Sequence, residues 1–194
     1  MTRSATVTRK TLETDVAVTV DLDGTGSTRI VTGVGFYDHL LTSLGHHSLF
    51  DLAIATEGDL DVDEHHTVED TALVLGQALG EALGARTGIA RFGDATVPMD
   101  EAVATAVVDV GGRPYAVIEL ELRGDRIGTL STQMIPHALE ALARTAGFTI
   151  HLTARGRNDH HVAEAAFKAL ARALRAAVVP DERRTGLAST KGAT

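Results

Sequence analysis

A five-residue pattern of metal-binding side chains occurs twice in this chain and constrains its fold more than any other feature. His65-His66-Thr67-Val68-Glu69 and His160-His161-Val162-Ala163-Glu164 both read His-His-x-x-Glu, and apolar residues at helical spacing follow each copy. Positions i and i+4 project to the same side of a helix, so each first histidine faces the glutamate of its own copy. The two copies therefore predict two metal ions in an internally duplicated protein.

The surrounding sequence repeats in the same order. His39 and His137 each open an apolar helical stretch upstream of a cassette, and Glu13 and Glu101 each precede an alternating, strand-like segment. This order predicts an α+β fold in two similar halves, with the helices of each half on one face of a sheet. The predicted boundaries are 1–92 for the first half, 93–180 for the second half and 181–194 for a flexible tail.

Hydrophobic periodicity predicts the elements of each half. Strands are expected over 4–9, 15–22, 28–33, 49–56, 101–110, 114–122 and 147–154, and helices over 36–46, 67–84, 134–146 and 161–178. Residues 85–95 read as a connector between the halves. The last helix carries small apolar residues on more than one face, which predicts homo-oligomerisation.

Composition excludes several classes of protein. The net charge of −8 over 194 residues argues against nucleic acid as a partner. The chain has no cysteine, so metal ligands must be nitrogen and oxygen atoms. No signal peptide or membrane-length apolar run is evident. We expect a soluble cytoplasmic protein with no membrane partner.

The histidines and glutamates of the repeats suffice for two octahedral ions that keep open positions for substrate and water. The predicted metal ligands are His39, His65, His66, Glu69, His137, His160, His161 and Glu164. Imidazole and carboxylate without sulfur suit Mn, Fe, Co or Zn, and an octahedral preference favours Mn. We expect each cassette's first histidine and its glutamate to share one ion. The second histidine of each cassette should cross to the other half's ion, and the lone histidines should complete the shells.

Other polar residues permit two interpretations. His46 and His47 follow the first predicted helix and could line the site, whereas His151 in a strand reads as structural. Arg91 and Arg113 lie in glycine-containing turns, where they are either solvated or able to bind an oxyanion, since guanidinium binds phosphate in a bidentate manner. Lys191 in the tail could add a third cation.

Together these residues resemble the imidazoleglycerol-phosphate dehydratase family of histidine biosynthesis, over nearly the whole chain. The motifs that carry the resemblance are 36–41 (Phe-Tyr-Asp-His-Leu-Leu), 63–70, 91–93, 112–115, 158–161 and 189–192. The resemblance implies two half-repeats of the ribosomal protein S5 domain 2 type, each with a four-stranded sheet. It also implies two Mn²⁺ ions per active site and a 24-subunit shell with sites at subunit junctions.

The resemblance also assigns roles to individual residues. The catalytic set would be Glu13, as acid–base carboxylate, with the eight metal ligands. The substrate-binding set would be Glu13, His39, His47, His65, Glu69, Arg91, Arg113, His160, Thr190, Lys191 and Gly192. Glu101, the counterpart of Glu13, reads as a structural copy.

The reaction implied is dehydration of D-erythro-imidazole glycerol phosphate to imidazole acetol phosphate. Two metals on the ring nitrogens would hold the imidazole as a di-manganese-bound imidazolate, which can expel the hydroxyl from the carbon attached to the ring. A carboxylate base would then take the proton from the next carbon.

Two other functions fit parts of the pattern. A binuclear hydrolase of phosphate esters would use metal-bound hydroxide, but such sites usually carry a bridging carboxylate that this ligand set does not suggest. A metal-storing shell would suit an acidic, oligomeric protein, yet it would not need the cations at Arg91, Arg113 and Lys191.

Overall fold

The computed structural model describes residues 3–191, and the first half of this range forms one sheet and two helices. The elements are β1 (Ser4–Lys10), β2 (Thr14–Asp21), β3 (Thr28–Val31), α1 (Gly35–Ser48), β4 (Asp51–Gly58) and α2 (His65–Leu83). The sheet order is β1-β2-β4-β3, in which only β3 pairs in parallel with its neighbour.

The second half repeats this arrangement with one small hairpin added. Its elements are β5 (Phe92–Met99), β6 (Ala102–Asp109), β7 (Tyr115–Leu120), β8 (Arg126–Ile127), β9 (Leu130–Ser131), α3 (Met134–Ala146), β10 (Thr149–Arg155) and α4 (Asp159–Val178). The sheet order β5-β6-β10-β7 matches the first sheet strand for strand, again with one parallel pair. The predicted duplicated α+β fold is confirmed.

The first hairpin of each half carries a cross-strand pair of threonine hydroxyls. In the first sheet the hydroxyl oxygens of Thr6 and Thr19 lie 2.9 Å apart across β1 and β2. In the second sheet those of Thr96 and Thr105 lie 3.0 Å apart across β5 and β6. The second pair lies two residues closer to its hairpin turn than the first. Both hairpins nevertheless keep the same register, because Asp21 pairs with Ser4 and its counterpart Asp109 pairs with Phe92, the counterpart of Ser4.

Two sequence predictions need correction, and one small element was not predicted. The connector predicted over 85–95 overlaps β5, which begins at Phe92. Gly93 and Pro98 are both disfavoured inside strands, but proline is tolerated here because β5 is an edge strand. The β8–β9 hairpin was not predicted, since strands of two residues show no periodicity. Helix α1 continues to Ser48, so His46 and His47 lie in its last turn and not after it.

The core lies between the two sheets, where the four helices pack. On β2, for example, Val16, Val18 and Val20 are fully buried while the residues between them are exposed. Burying each such side chain contributes about 1.5–3 kcal/mol. Helix α2 packs on α3 and helix α1 on α4, so each helix of one half contacts a helix of the other. A side chain at Gly76 would overlap Thr145 and the Leu142 carbonyl of α3, which explains the close approach of α2 and α3.

The junction and the tail are held by backbone contacts. The Arg86 guanidinium donates to the carbonyls of Val110, Ala146 and Gly147, which attaches the end of α2 to the second half. Downstream of α4, the chain returns along residues 87–91, with bridges from Pro180 to Ile89 and from Leu187 to Thr87. Among residues 3–191, no helix has the length and apolar content that crossing a bilayer requires.

Candidate metal and substrate site

Two groups of histidine and glutamate side chains meet where the halves pack together. One contains His39, His160 and Glu164, and the other contains His65, Glu69 and His137. In each group, one nitrogen or oxygen atom from every member lies within 4.8 Å of the others. Each group thus combines the cassette of one half with the lone histidine of the other half.

Helix packing explains this exchange between the halves. His39 lies on α1, which packs on α4, and His137 lies on α3, which packs on α2. The predicted pairing of each first histidine with its glutamate agrees with the geometry, since both cassettes lie in the first turns of helices. The sequence alone did not indicate which lone histidine would join which cassette.

The start of each cassette helix is held in the same way. Asp63 Oδ1 accepts a hydrogen bond of 2.8 Å from the His65 amide, and Asn158 Oδ1 accepts one of 3.0 Å from the His160 amide. A side-chain oxygen two residues before the first histidine satisfies an amide that the helix leaves free. The two cassettes therefore share the same side-chain contact to the amide of the first histidine.

Distances in the two groups suit a divalent cation. The Nε2 atoms of His39 and His160 each lie 3.1 Å from Glu164 Oε2. In the second group, His65 Nε2 and His137 Nε2 lie 3.5 Å from the two oxygens of Glu69. Neighbouring ligands of an octahedral ion with bonds of about 2.1 Å lie about 3 Å apart. The donor set therefore fits a cation with small adjustments.

An unsatisfied buried atom supports the same conclusion. His137 Nε2 is buried and has no hydrogen-bond partner among the described residues. A buried polar atom without a partner is costly in a folded protein and calls for an explanation. A cation bound between His137, His65 and Glu69 would supply the missing partner.

Electrostatics keep Glu164 ionised. Burial by itself raises the pKa of this carboxyl, but hydrogen bonds from Lys168 and His39 lower the pKa to about 2. Lys168 lies one turn further along α4, with its ammonium 2.7 Å from Glu164 Oε1. The pKa of His47, at the end of α1, is lowered by burial and by the nearby charge of Lys168. His47 therefore faces this part of α4, consistent with its assignment to the site.

The second histidine of each cassette lies outside both groups. His66 Nδ1 is 2.9 Å from Asp59, and His161 Nδ1 is 2.8 Å from Glu101. These hydrogen bonds raise the pKa of both imidazoles. Within one chain, His66 and His161 belong to neither group, and the expectation that they bind the other half's ion stays a prediction.

The proposed acid–base residue Glu13 lies in the turn between β1 and β2. Its side chain is half exposed, and its Oε2 atom is 3.7 Å from His66 Nε2. Glu13 is thus placed beside His66, a predicted metal ligand, and belongs to neither group among the described residues.

The predicted anion-binding residues converge at another place. A cleft of about 510 Å³ is lined by Arg91, Arg113, Thr190 and Lys191, with Gly111 and Ser189 among its other residues. Gly192, also expected in this set, lies outside the described residues. The cleft brings three cations together, as the sequence suggested, and its lining includes backbone that a phosphate could approach closely.

Arg91 is held rigidly in this cleft. Its Nε and Nη2 atoms donate to the two oxygens of Asp109 at 2.7 and 2.9 Å, and Nη1 donates to the Ala188 carbonyl of the tail. The guanidinium also lies over the Phe92 ring, 4.8 Å from its centroid. Asp109 and the tail therefore fix the orientation of Arg91.

The two parts of the site lie at opposite ends of the second half. His161 contacts Glu101 just before β6, and Arg91 contacts Asp109 at the end of β6. Eight strand residues at 3.3 Å each place these ends on the order of 25 Å apart. Helix α4 gives about the same length, since the Arg91 amide donates to the Ala177 carbonyl near its last turn. A small molecule cannot contact both ends in one chain.

Some residues around the site had no sequence signal. Asp59, Asp109 and Lys168 were not predicted, although each contacts a predicted site residue. Isolated charged residues on exposed turns and helices are too common to single out. Glu101 was recognised only through its position in the repeat.

The fold and the two groups define a duplicated α+β protein that joins histidine and glutamate side chains from its two halves. Residues 32–174 match the model of the family described as imidazoleglycerol-phosphate dehydratase. The chain therefore belongs to this family and is an enzyme of the hydro-lyase class.

Relatives in several organisms cover the whole chain. The imidazoleglycerol-phosphate dehydratases of Acidiphilium cryptum and Frankia casuarinae are 53% and 55% identical to it, over 99% of each chain. Crystal structures of this enzyme from Staphylococcus aureus and Pyrococcus furiosus superpose with TM-scores of 0.82 at 34% identity. They cover 91% and 97% of this chain and 99% and 100% of their own. The fold is thus shared along almost the full length.

Proposed function

We propose that this protein dehydrates D-erythro-imidazole glycerol phosphate to imidazole acetol phosphate in histidine biosynthesis, using two Mn²⁺ ions. The observation that carries the proposal is the pair of His-His-Glu groups, each built from both halves, in a chain that belongs to the dehydratase family. The cation-lined cleft supplies the second requirement, since the substrate carries a phosphate.

One group of residues would hold each ion. His39, His160 and Glu164 would bind one, and His65, Glu69 and His137 would bind the other. When bound, the two ions would supply positive charge that stabilises the deprotonated form of an imidazole ring. Nitrogen and carboxylate donors without sulfur are compatible with Mn²⁺.

The chain's own residues would divide the remaining tasks. Glu13 would move the proton at the substrate carbon, because its half-exposed carboxylate lies beside His66 without being bound to either group. Arg91, Arg113 and Lys191 would bind the phosphate, which fixes the distance between the reacting carbon and the ring. His47 and Thr190 would contact the substrate at the two ends of the molecule.

The separation of the cleft from the groups supports a site shared between copies. About 25 Å lies between them in one chain, which exceeds the span of this substrate. The Nε2 atoms of His66 and His161, directed away from both groups, would be available to a neighbouring copy. We therefore propose that the active sites form at subunit junctions of a closed shell, with 24 subunits as the expected size.

The rival hydrolase finds little support in the geometry. Among residues 3–191 the two groups share no side chain, so neither contains a carboxylate that bridges to the other. Paired ions about 3.5–4 Å apart in phosphate-ester hydrolases usually share such a bridge.

Product analysis tests the proposal against both rivals. The Mn²⁺-loaded protein is incubated with D-erythro-imidazole glycerol phosphate, and the ketone product and inorganic phosphate are both measured. We expect a ketone without free phosphate. Phosphate release would indicate a hydrolase, and bound metal without any turnover would indicate storage.

A further inference from the structure

Glu101 and Glu13 occupy the same position in the two halves, immediately before β6 and β2, but their contacts differ. Glu101 Oε2 lies 2.8 Å from His161 Nδ1, and Oε1 accepts hydrogen bonds from the amides of Arg157 and Asn158 at 3.1 and 2.8 Å. In the first half, Asp59 contacts the equivalent ring nitrogen of His66 instead. The second histidine of each cassette is therefore contacted by a different residue in each half, His66 by Asp59 and His161 by Glu101.

We propose that Glu101 is a positioning residue that sets the tautomer of His161 and thereby makes its Nε2 atom a metal ligand. This inference rests on the proposed metal-dependent function. An ionised carboxylate is an acceptor only, so the nitrogen that faces it must carry the proton. In the neutral ring the other nitrogen, Nε2, then has the free lone pair that a metal needs.

The backbone contacts of Glu101 make the arrangement selective. Two amide donors already occupy Oε1, so the carboxylate cannot rotate without losing both bonds. These amides belong to the loop that leads into α4, whose first turn carries His160 and His161. Glu101 therefore fixes the start of the helix and the ring orientation at the same time.

Glu101→Gln separates these two effects. The glutamine oxygen satisfies the amides of Arg157 and Asn158 when it faces them, so the loop keeps its contacts. The amide nitrogen must then face His161 Nδ1 as a donor, which requires that this nitrogen accept and that Nε2 carry the proton. The opposite orientation would set the NH₂ group against two N–H donors. The variant should thus fold normally with the wrong tautomer at His161.

The Mn²⁺-loaded oligomer is challenged with increasing concentrations of a chelator, and the Mn²⁺ retained per chain is measured after desalting. We expect the wild type to lose its ions in one range of chelator concentration. In Glu101→Gln, one of the two ions should be lost at a chelator concentration about 10–100-fold lower. Removing a residue that hydrogen-bonds to a metal ligand typically weakens metal affinity by this factor. Glu119→Gln, at an exposed carboxylate on β7 of the same sheet, serves as the matched control and should behave as the wild type.

A second comparison isolates the histidine. In a His161→Ala background, the added Glu101→Gln change should cause no further loss of Mn²⁺, because the ring on which it acts is absent. A further loss there would show that Glu101 only holds the loop, and normal retention in Glu101→Gln alone would also overturn the inference. Failure of the wild type to hold two ions would instead refute the proposed metal centre, and with it this role.

Discussion

At the scale of single residues, Glu13 and Glu101 show how a duplicated position acquires two uses. Glu101 is fixed by His161 and two backbone amides, contacts that lower its pKa to about 2. Glu13 lies in the turn between β1 and β2, and its Oε2 atom is 3.7 Å from His66 Nε2. Asp59 contacts Nδ1, the other nitrogen of the same ring. Because Asp59 contacts His66 Nδ1 in the first half, the Glu13 carboxylate does not occupy that position and is available for the acid–base role that we propose.

Glu13→Gln should abolish most turnover without disturbing the metal groups. Loss of a general base lowers the rate by about 10²-fold or more. Steady-state rates, Mn²⁺ content and the size of the oligomer are measured together, with Glu57→Gln on the adjacent strand β4 as the control. A near-normal rate with both ions bound would move the acid–base role to another group.

Arg113→Ala should act mainly on substrate binding. The side chain is exposed and lines the cleft with Arg91 and Lys191, so its loss removes a phosphate contact present in both ground and transition states. The KM should therefore rise more than the kcat falls. Arg155→Ala, at an exposed arginine on β10 outside the cleft, should leave both constants unchanged. A fall in kcat alone would contradict the assignment.

At the scale of elements, the start of α2 is tied to the β8–β9 hairpin of the other half. The buried Glu64 carboxylate accepts two hydrogen bonds, one of 2.8 Å from the Ser131 amide and one of 2.9 Å from Arg126 Nη2. Burial alone raises the pKa of Glu64, but these hydrogen bonds lower it to about 2 from an ordinary value of 4.5. This contact therefore helps to place His65 and His66, which follow directly.

The lowered pKa predicts a contribution to acid stability. A carboxyl with a depressed folded-state pKa stabilises the fold above its ordinary pKa of 4.5 and loses that effect as the pH falls toward about 2. Glu64→Gln should therefore cost about 2–3 kcal/mol at pH 7 and progressively less below pH 4.5. Urea unfolding of both proteins at several pH values measures the difference. An equal difference at pH 7 and at the acid end would show that the pair contributes no proton linkage.

At the scale of the whole molecule, the group of His39, His160 and Glu164 lies about 25 Å from the cleft at Arg91. This distance is too long for one small substrate to reach both within one chain. Contacts at the two ends of β6 establish this separation: His161 contacts Glu101 just before the strand, and Arg91 contacts Asp109 at its last residue. The exposed Leu12 and Val62 lie near Glu13 and near the start of α2, where an apolar surface would suit a second copy.

Mixed oligomers test a site shared between copies. At substrate concentrations well below the KM of Arg113→Ala, both Arg113→Ala and His160→Ala should be severely impaired alone. The first lacks a phosphate contact, and the second lacks a proposed metal ligand. Co-expressed in equal amounts, they should recover activity at about a quarter of the sites, where each neighbour supplies the intact part. Oligomers of each single variant, mixed only after purification, provide the control for simple contamination. No recovery on co-assembly would show that one chain supplies the whole site.

The repeat made much of this molecule predictable. The pairing of His65 with Glu69 and of His160 with Glu164 depends on helical periodicity, which is local and visible in sequence. The duplicated order of elements likewise predicted two similar sheets. Arg91 and Arg113, predicted from their glycine-containing turns, line one cleft. The edge strand β5 was not predicted, because Gly93 and Pro98 interrupt its alternation of polar and apolar residues.

Tertiary structure decided what local pattern does not encode. His39 joins the cassette of the second half and His137 that of the first because α1 packs on α4 and α2 on α3. The carboxylates that hold His66 and His161 come from turns whose single charged residues have no periodicity. Local pattern in the sequence therefore predicted which histidines and glutamates share a helix face. The packing of the two halves determined which ligands meet, because those contacts join residues that are distant in the chain.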